Sequence, residues 1–254
     1  MSSGKSMAGK VVLVTGGARG IGWETCLAVG RLGATVVVGA RRIDQAQSAA
    51  DSLIRRELKA EGLILDVSSE SDRQLAFEHL NQRYGRLDVL INNAGVWRES
   101  KDAATPSETL SSQLSPAILR ETFESNFFGP VFLTQKLLPL LRKSDAGRIV
   151  NVSSIRGSLT LLSDPSSPVS KNKTFAYDSS KTALNAFTVE LADELRDTKI
   201  KVNAIHPGWV RTSMGSQEAD LDVAEGARTS VLFACLPDDG PTGGFFYLNE
   251  RLPW

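Results

Sequence analysis

Short runs of β-branched residues alternate along the chain with longer stretches in which apolar residues recur every three or four positions. The runs predict strands at residues 11–17, 34–41, 63–67, 87–95, 148–154, 199–208 and 243–248. The longer stretches predict helices at residues 21–32, 44–59, 70–84, 116–143, 175–196 and 223–236, with bends at Pro130 and Pro139. Because strands separated by helices build parallel sheets, the pattern predicts a single-domain α/β fold. The expected architecture is a Rossmann-type doubly wound parallel sheet of about seven strands, with helices on both faces.

The alternation of strands and helices also predicts the domain organisation. A flexible tail is predicted at residues 1–9, followed by one dinucleotide-binding and catalytic domain at residues 10–254. Two stretches rich in Ser and Pro, 97–115 and 159–173, interrupt this alternation. Strands and helices alternate again after each stretch, so both stretches are predicted to be surface loops. Ligands of such sheets bind beyond the carboxyl ends of the strands, so the residues that follow the strands are the candidates for chemistry.

Composition and charge narrow the class of protein. Lys and Arg together number 29, as do Asp and Glu, so neither nucleic acid nor an acidic membrane is an expected partner. No apolar run reaches the roughly 18 residues that span a bilayer, and the first residues lack the core of a signal peptide. Cys26 and Cys235 are interpreted as buried thiols of a cytoplasmic protein. No cluster of His, Cys and carboxylates has metal-ligand spacing, so no metal is predicted.

The first predicted strand runs into the glycine-rich sequence TGGARGIG, residues 15–22. Gly16, Gly20 and Gly22 allow a tight turn and the close approach of backbone N–H groups to a pyrophosphate. The helix that follows directs its positive end to the same place. The spacing differs from the common G-x-G-x-x-G, and a plain tight turn is the alternative. We interpret the loop as the phosphate site of a dinucleotide.

The residues after the second strand discriminate between the two nicotinamide dinucleotides. A carboxylate there accepts a hydrogen bond from the ribose 2′-OH of NAD, but Arg41 and Arg42 stand at this point. Together with Arg19 in the glycine loop, they are predicted to bind a 2′-phosphate. The predicted cofactor is therefore NADP(H). Asp44, at the start of the next helix, is predicted to be its N-cap.

Tyr177 and Lys181 lie four residues apart, and so on one face of a predicted helix. A nearby ammonium favours a phenolate, which predicts that Lys181 lowers the pKa of Tyr177. Ser154, just after the fifth strand, could donate a hydrogen bond to a developing alkoxide, with Ser153 as the competing choice. Without other motifs, a Tyr and a Lys one turn apart are usually packing and a solvated amine.

Seven motifs, TGGARGIG, LDV, NNAG, ESNFFG, NVSS, YDSSK and HPGWVRT, resemble in this order those of the short-chain dehydrogenase/reductase family. SNFFG, HPGWVRTSM and the C-terminal segment resemble its carbonyl-reductase branch. The resemblance implies a catalytic tetrad of Asn126, Ser154, Tyr177 and Lys181. In it, Tyr177 exchanges the proton, Lys181 also holds the nicotinamide ribose, and Asn126 orders a relay water. It further implies cofactor contacts at Gly16, Ala18, Arg19, Gly20, Ile21, Gly22, Arg41, Arg42, Asp66, Val67, Asn93, Ala94, Gly95, Tyr177, Lys181, Pro207, Gly208, Val210 and Thr212.

The resemblance implies NADPH-dependent reduction of an aldehyde, ketone or quinone to an alcohol. Alternatives are a 3-oxoacyl thioester reductase, a hydroxysteroid-type dehydrogenase and, in a different class, a non-catalytic NADP-binding regulator. The segment between Ser154 and Tyr177 holds 22 residues, more than in most of the family, and leaves monomer or homo-oligomer open. Its insertion, 159–173, is predicted to border an apolar substrate cleft. Candidate lining residues are Trp97, Leu159, Leu161, Leu162, Trp209 and Met214.

Overall fold

The strands form one mostly parallel sheet. A computed structural model describes residues 7–254. The strands are β1 Val11–Thr15, β2 Thr35–Ala40, β3 Ala60–Ile64, β4 Val89–Asn92, β5 Arg148–Val152, β6 Lys201–Ile205, β7 Phe245–Tyr247 and β8 Glu250–Arg251. They follow the order β3-β2-β1-β4-β5-β6-β7-β8. All neighbours pair in parallel except β7 and β8, which are antiparallel. The predicted fold class is confirmed, with one strand more than expected.

Helices connect the strands and end at residues whose chemistry suits helix ends. They are α1 Gly20–Arg31, α2 Ile43–Ile54, α3 Glu70–Tyr84, α4 Pro116–Phe123, α5 Gly129–Leu141, α6 Leu159–Ser163, α7 Phe175–Glu194 and α8 Val223–Ala234. Ser69 caps α3 by accepting from the Asp72 N–H, and Gly85, at φ 70°, ends it. Asp222 and Glu225 form a capping box at α8. None of the helices described for residues 7–254 is long and apolar enough to cross a membrane.

Two apolar cores lie on opposite faces of the sheet. Val12 and Val14 of β1 belong to one core, and Val11 and Leu13 to the other, as the alternation of side chains along a strand requires. Side chains of α1, α2 and α8 complete the first core. Those of α3, α5 and α7 complete the second. The sheet is therefore covered on both faces, which is the doubly wound arrangement.

The predicted single helix over residues 116–143 is interrupted. A π-helical turn at Glu124–Phe128 separates α4 from α5. Pro130 lies in the first turn of α5, where proline is tolerated, and Pro139 lies inside α5. The bends predicted at these two prolines stay predictions. A π turn adds a residue to the helical repeat, and such turns are frequent at functional sites.

Other elements also differ from the prediction. β3 begins earlier, because it pairs with β2 from Ala60 to Ile64, which leaves residues 65–67 beyond its end. The predicted loop 159–173 contains α6, capped by the Ser158 hydroxyl, and a 3₁₀ turn at Pro168–Ser170. β8 is too short for a periodicity to appear in the sequence.

The first described residue is already packed. Met7, assigned to the tail by its sequence, is 3% exposed in the core beside α1. Its N–H donates to the carbonyl of Leu32 at 2.8 Å. The folded part thus reaches back at least to Met7, while residues 1–6 of the predicted tail lie outside the described residues.

Candidate active site

The candidate residues converge at the carboxyl edge of the sheet. The glycine loop follows β1, Asn93 follows β4, and Ser154 follows β5. These three strands are neighbours in the sheet. The chain order reverses between β1 and β4, which is where ligands bind in open α/β sheets.

The glycine loop forms a backbone concavity that side chains would fill. Gly16 and Gly20 have φ of +62° and +56°, in the left-handed region that favours glycine. A Cβ on Gly22 would lie 2.3 Å from the Gly16 carbonyl oxygen and 2.6 Å from the Asn93 Nδ2. Asn93 Nδ2 also donates to the Thr15 carbonyl at 2.8 Å, which fixes the end of β1 against the end of β4. Only glycine fits at position 22.

The first turn of α1 opens onto this concavity. The residue before it, Arg19, gives no side-chain cap, and the first turn contains no acidic residue. The N-terminal N–H groups of a helix need acceptors and favour negative charge. The uncapped helix start and the glycine cradle together fit the pyrophosphate of a dinucleotide. Ala18 lies in the glycine loop, and Ile21 lies in the first turn of α1.

The arginines predicted to bind a 2′-phosphate differ in their surroundings. Arg19 and Arg41 are exposed and follow neighbouring strands, β1 and β2. Arg42 instead pairs with Asp44, its Nη2 lying 2.6 Å from a carboxylate oxygen. The predicted N-cap role of Asp44 is wrong, because α2 begins at Ile43 and Asp44 turns back to this ion pair. Among the residues that the structure describes, Arg19 and Arg41 form no such ion pair.

The positions predicted to border the adenine sit beyond β3. The Asp66 carboxylate accepts from the Ser68 N–H at 2.9 Å, which folds it into its own turn. Val67 is 4% exposed and packs beside Gly129, where a Cβ would lie 2.7 Å from its methyl. Because β3 is parallel to its neighbours, both residues lie at the same edge of the sheet as the glycine loop.

The segments after β4 and β6 also lie at the carboxyl edge of the sheet. The Ala94 N–H donates to the Thr15 hydroxyl at 2.9 Å. A Cβ on Gly95 would lie 3.7 Å from the Lys181 Nζ, and one on Gly20 would lie 3.7 Å from the Thr212 methyl. The other predicted contacts in the second segment are Pro207, Gly208 and Val210, and Gly208 has φ +90°.

Tyr177 is 8% exposed near the start of α7. The Ser154 hydroxyl is close enough to the phenol to lower the pKa of Tyr177. The Ser154 hydroxyl also accepts from the Arg156 N–H at 3.2 Å. Ser153 donates instead to Asn185 at 2.6 Å, inside the protein. The geometry therefore supports Ser154 over Ser153 as the hydroxyl beside the tyrosine.

Lys181 is buried on the same face of α7. Its side chain donates to the Val152 carbonyl at 2.8 Å, and its Nζ lies 5.7 Å from the centroid of the Tyr177 ring. Burial lowers the pKa of the ammonium to about 8. Lys181 thus places a buried positive charge between the end of β5 and the tyrosine ring.

The pKa of Tyr177 lies above its ordinary value. Burial raises it to about 12, the charge of Arg156 lowers it, and that of Asp178 raises it. The prediction that Lys181 lowers the pKa of Tyr177 below its ordinary value is therefore wrong for the protein without cofactor. The effect of burial on this pKa is larger than that of the neighbouring positive charge. At neutral pH the phenol therefore retains its proton.

Asn126 is fully buried in the π turn. Its Oδ1 accepts from the Val96 N–H at 2.7 Å, and its Nδ2 donates to the Val96 carbonyl at 3.0 Å. Nδ2 also donates to the Ser180 hydroxyl at 3.1 Å. The residue thus joins the segment after β4 to α7 on the face that carries the tyrosine and lysine.

Three charged residues that the sequence analysis did not single out adjoin Tyr177. The Glu99 carboxylate accepts from the Tyr177 N–H at 2.9 Å. The Asp178 carboxylate accepts from the N–H and the hydroxyl of Thr174 at 3.0 and 2.9 Å, and burial raises its pKa to about 6. The Arg156 Nη1 lies 3.5 Å from Asp178. The sequence offered one indication of them, because each lies in or close to one of the motifs NNAG, NVSS and YDSSK.

The predicted substrate-lining residues differ in how exposed they are. Trp97 is 8% exposed, and its ring centroid lies 4.7 Å from that of Tyr177. Leu159 and Trp209 are 62% and 39% exposed on segments after β5 and β6. The Met214 carbonyl accepts from the Ala103 N–H at 2.8 Å, which joins its segment to the loop after Trp97. Trp97 contacts the tyrosine, and the lining role of all these residues stays a prediction.

His206 follows directly after β6. Burial lowers its pKa to about 4, so it is neutral at neutral pH. Its Nδ1 is buried without a hydrogen-bond partner among the described residues. In residues 7–254 there is also no group of three or more His, Cys, Asp or Glu side chains that could hold a metal ion.

Comparison with known proteins agrees with this geometry. Residues 10–222 match the family model described as short chain dehydrogenase. Retinol dehydrogenase 14 of Mus musculus is 35% identical over 94% of this chain and 78% of its own length. Salutaridine reductase from Papaver somniferum is 29% identical, with a TM-score of 0.77 over 93% of this chain and 99% of its own. A metagenomic short-chain oxidoreductase in complex with NADP is 26% identical, with a TM-score of 0.73 over 93% and 95%. The chain therefore belongs to the short-chain dehydrogenase family, and is an oxidoreductase acting on alcohol and carbonyl groups.

Proposed function

We propose that the chain reduces an aldehyde, ketone or quinone to an alcohol with NADPH, and that Tyr177 donates the proton. One observation carries the proposal. The Ser154 hydroxyl lowers the pKa of the buried Tyr177 phenol, and Lys181 lies on the same face of α7 with its Nζ 5.7 Å from the centroid of the Tyr177 ring. When bound, NADPH supplies a hydride to the carbonyl carbon. The protein must then deliver a proton to the carbonyl oxygen.

Tyr177 suits the role of donor in the direction of reduction. Its pKa of about 12 keeps the phenol protonated at neutral pH. As the carbonyl oxygen gains negative charge, its basicity rises and it takes the proton from the Tyr177 O–H bond. The electron pair stays on the phenolic oxygen, which the Ser154 hydroxyl can stabilise by donating a hydrogen bond, and Lys181 lies nearby as a cation. Asn126 orients the segment after β4 through its two bonds to Val96.

NADP(H) is proposed as the cofactor because of the charges at the ends of β1 and β2. Arg19 and Arg41 are exposed there, and no carboxylate follows β2 directly. A carboxylate at this place would repel a 2′-phosphate, whereas a guanidinium can bind it through two hydrogen bonds. The NADP complex of the metagenomic relative lends further support. The proposed holders of the pyrophosphate are the glycine loop and the first turn of α1.

The substrate class is proposed from the surroundings of Tyr177. The ring of Trp97 packs against it, and the insertion with α6 follows Ser154. An aromatic wall favours apolar carbonyl compounds. The names of two relatives contain retinol and salutaridine, so the aldehyde of retinol and salutaridine itself belong in the first panel.

The test follows NADPH consumption against a panel of aldehydes, ketones, quinones and 3-oxoacyl thioesters. Wild type is compared with Tyr177→Phe and with Tyr84→Phe, a control that removes a phenol at the end of α3. Tyr177→Phe should lose about 10²–10⁴-fold in kcat, while Tyr84→Phe keeps its rate. NADPH binding, titrated by fluorescence, should be retained in both. Undiminished turnover by Tyr177→Phe would refute the mechanism, and tight NADPH binding without any turnover by wild type would favour a regulator.

A further inference from the structure

A group of charged side chains surrounds Tyr177, and the proposed reaction uses only one of them. Glu99 comes from the segment after β4, Arg156 from the 3₁₀ turn after β5, and Asp178 and Lys181 from α7. The side chains of Arg156 and Asp178 are only 12% and 6% exposed. Charges that are buried to this extent are costly unless they are paired and hydrogen-bonded, so their position needs an explanation.

Arg156 contacts three separate segments of the active site. Its Nη1 donates to the Asn172 carbonyl at 2.6 Å and lies 3.5 Å from the Asp178 carboxylate. Its guanidinium carbon lies 5.3 Å from the centroid of the Trp97 ring. A guanidinium over an indole is attracted by the negative face of the ring. The contacts join the insertion, the start of α7 and the segment after β4.

These contacts reach Tyr177 through its two neighbours. The Trp97 ring, held by Arg156, packs against the ring of Tyr177 at 4.7 Å. Asp178 is the next residue on α7, and its carboxylate accepts from the N–H and hydroxyl of Thr174. Loss of Arg156 would leave Asp178 as an unbalanced buried charge and Trp97 without its cation.

The charge of Arg156 also acts on the phenol directly. It is the positive charge that lowers the pKa of Tyr177, in opposition to Asp178 and to burial. Lys181, the other cation, donates to the Val152 carbonyl. Proton donation leaves a negative phenolic oxygen, which a positive neighbour stabilises.

We propose that Arg156 is a positioning residue for proton transfer, which holds Trp97 and the insertion against Tyr177 and stabilises the deprotonated tyrosine by its charge. The inference rests on the proposed function only for its charge effect. The proton passes from the Tyr177 oxygen to the substrate oxygen, and the electron pair remains on Tyr177. Arg156 touches neither of the reacting atoms in this step.

The test compares Arg156→Gln, Arg156→Lys and Arg148→Gln. Arg148 is the matched control, a buried arginine at the opposite end of β5 that donates to the carbonyls of Leu236 and Lys199. Arg156→Gln should lower kcat for reduction about tenfold, the effect of about 1.4 kcal/mol on the barrier. Its affinity for NADPH should be unchanged, because the glycine cradle lies at another strand end.

The pH profile separates charge from packing. Without the cation, Tyr177 holds its proton more tightly, so the alkaline limb of kcat for reduction should move to higher pH in Arg156→Gln. Arg156→Lys should keep the limb near the wild-type position while losing part of kcat, because Lys keeps the charge without the fork of donors. Arg148→Gln should lower thermal stability and leave the limb in place. Unchanged limbs in all three variants would overturn the charge effect.

Amide hydrogen exchange tests the positioning without any turnover. Arg156→Gln should exchange faster in residues 97–104 and 171–178, while Arg148→Gln should not. If wild type turns over no substrate but this difference is found, the proposed function fails and the positioning stands. If Arg156→Gln is active with wild-type kcat and exchanges as wild type does, the positioning role is wrong.

Discussion

The backbone N–H of Tyr177 donates to the carboxylate of Glu99 at 2.9 Å, although 78 positions separate the two residues in the chain. An anion at the N-terminus of a helix is stabilised by the unpaired N–H groups there. The bond therefore anchors the segment after β4 to the first turn of α7. It holds the main chain of the proposed acid directly.

Replacement of Glu99 by Ala should therefore impair catalysis more than cofactor binding. A hydrogen bond to a charged group is worth about 1.5–3 kcal/mol, so kcat/KM should fall about 10–100-fold, with little change in the Kd for NADPH. Glu99→Gln keeps an acceptor and should lose less. Steady-state kinetics and a fluorescence titration measure both quantities.

The matched control for this prediction is Glu121→Gln. Glu121 forms an ion pair with Arg98, next to Glu99, but both partners are exposed. Exposed pairs contribute little, so this variant should behave as wild type. If Glu99→Ala and Glu121→Gln had equal rates, the anchor at Tyr177 would have no catalytic importance.

Local spacing made one part of the site predictable from the sequence. Tyr177 and Lys181 share a helix face because their separation of four residues fits the helical repeat. The glycines follow β1 because residues 11–15 are β-branched or apolar and the next positions need positive φ. Both inferences depend on residues that are close in the chain.

The contacts between distant segments could not be predicted in this way. Asn126 reaches Val96 because a π turn shifts the backbone repeat, and apolar periodicity does not encode such a shift. Glu99 and Arg156 meet α7 only after the sheet order has brought β4 and β5 together. The Arg42–Asp44 pair competed with a capping role for which Asp is equally suited.

Arg41 should decide between the two cofactors. Arg41→Asp should raise the Kd for NADPH about 10–100-fold, through the loss of a charge-assisted bond and the gain of repulsion. The Kd for NADH should change little, because NADH has no 2′-phosphate. Arg42→Ala should have a smaller effect than Arg41→Ala, since Arg42 is paired with Asp44. Arg55→Asp, beyond the end of α2, serves as the control for net charge. Equal losses of affinity for NADPH and NADH would mean that Arg41 does not determine which cofactor binds.

Gly22→Ala should disturb the cradle, because the new Cβ would lie 2.3 Å from the Gly16 carbonyl oxygen. Overpacking of this kind costs about 1–3 kcal/mol, and here the obstacle is backbone. Thermal stability and NADPH affinity should both fall. Gly30→Ala is the control on the same helix, because its Cβ would meet the flexible Leu58 side chain at 3.2 Å. It should bind NADPH as wild type does, and a wild-type affinity for Gly22→Ala would exclude a close approach of the ligand to this turn.

Lys181→Met should stabilise the fold while it abolishes turnover. Burial lowers the pKa of Lys181 from 10.5 to about 8, so the folded chain binds this proton less tightly than the unfolded chain. The charged lysine therefore costs stability below about pH 8, and the cost disappears as the pH rises from about 8 to 10.5. The loss of the bond to Val152 offsets part of the gain, which leaves about 1–3 kcal/mol near pH 7.

Urea unfolding at several pH values measures this difference. The stability of Lys181→Met relative to wild type should be greatest at neutral pH and decline through the alkaline range. Lys136→Met, which loses a bond to Gln74 on the other side of the sheet from α1, should show no such pH dependence. A Lys181→Met protein less stable than wild type at every pH would mean that the lysine is held for structure. The expected result would mean that a destabilising charge is kept beside Tyr177 because the proton transfer requires it.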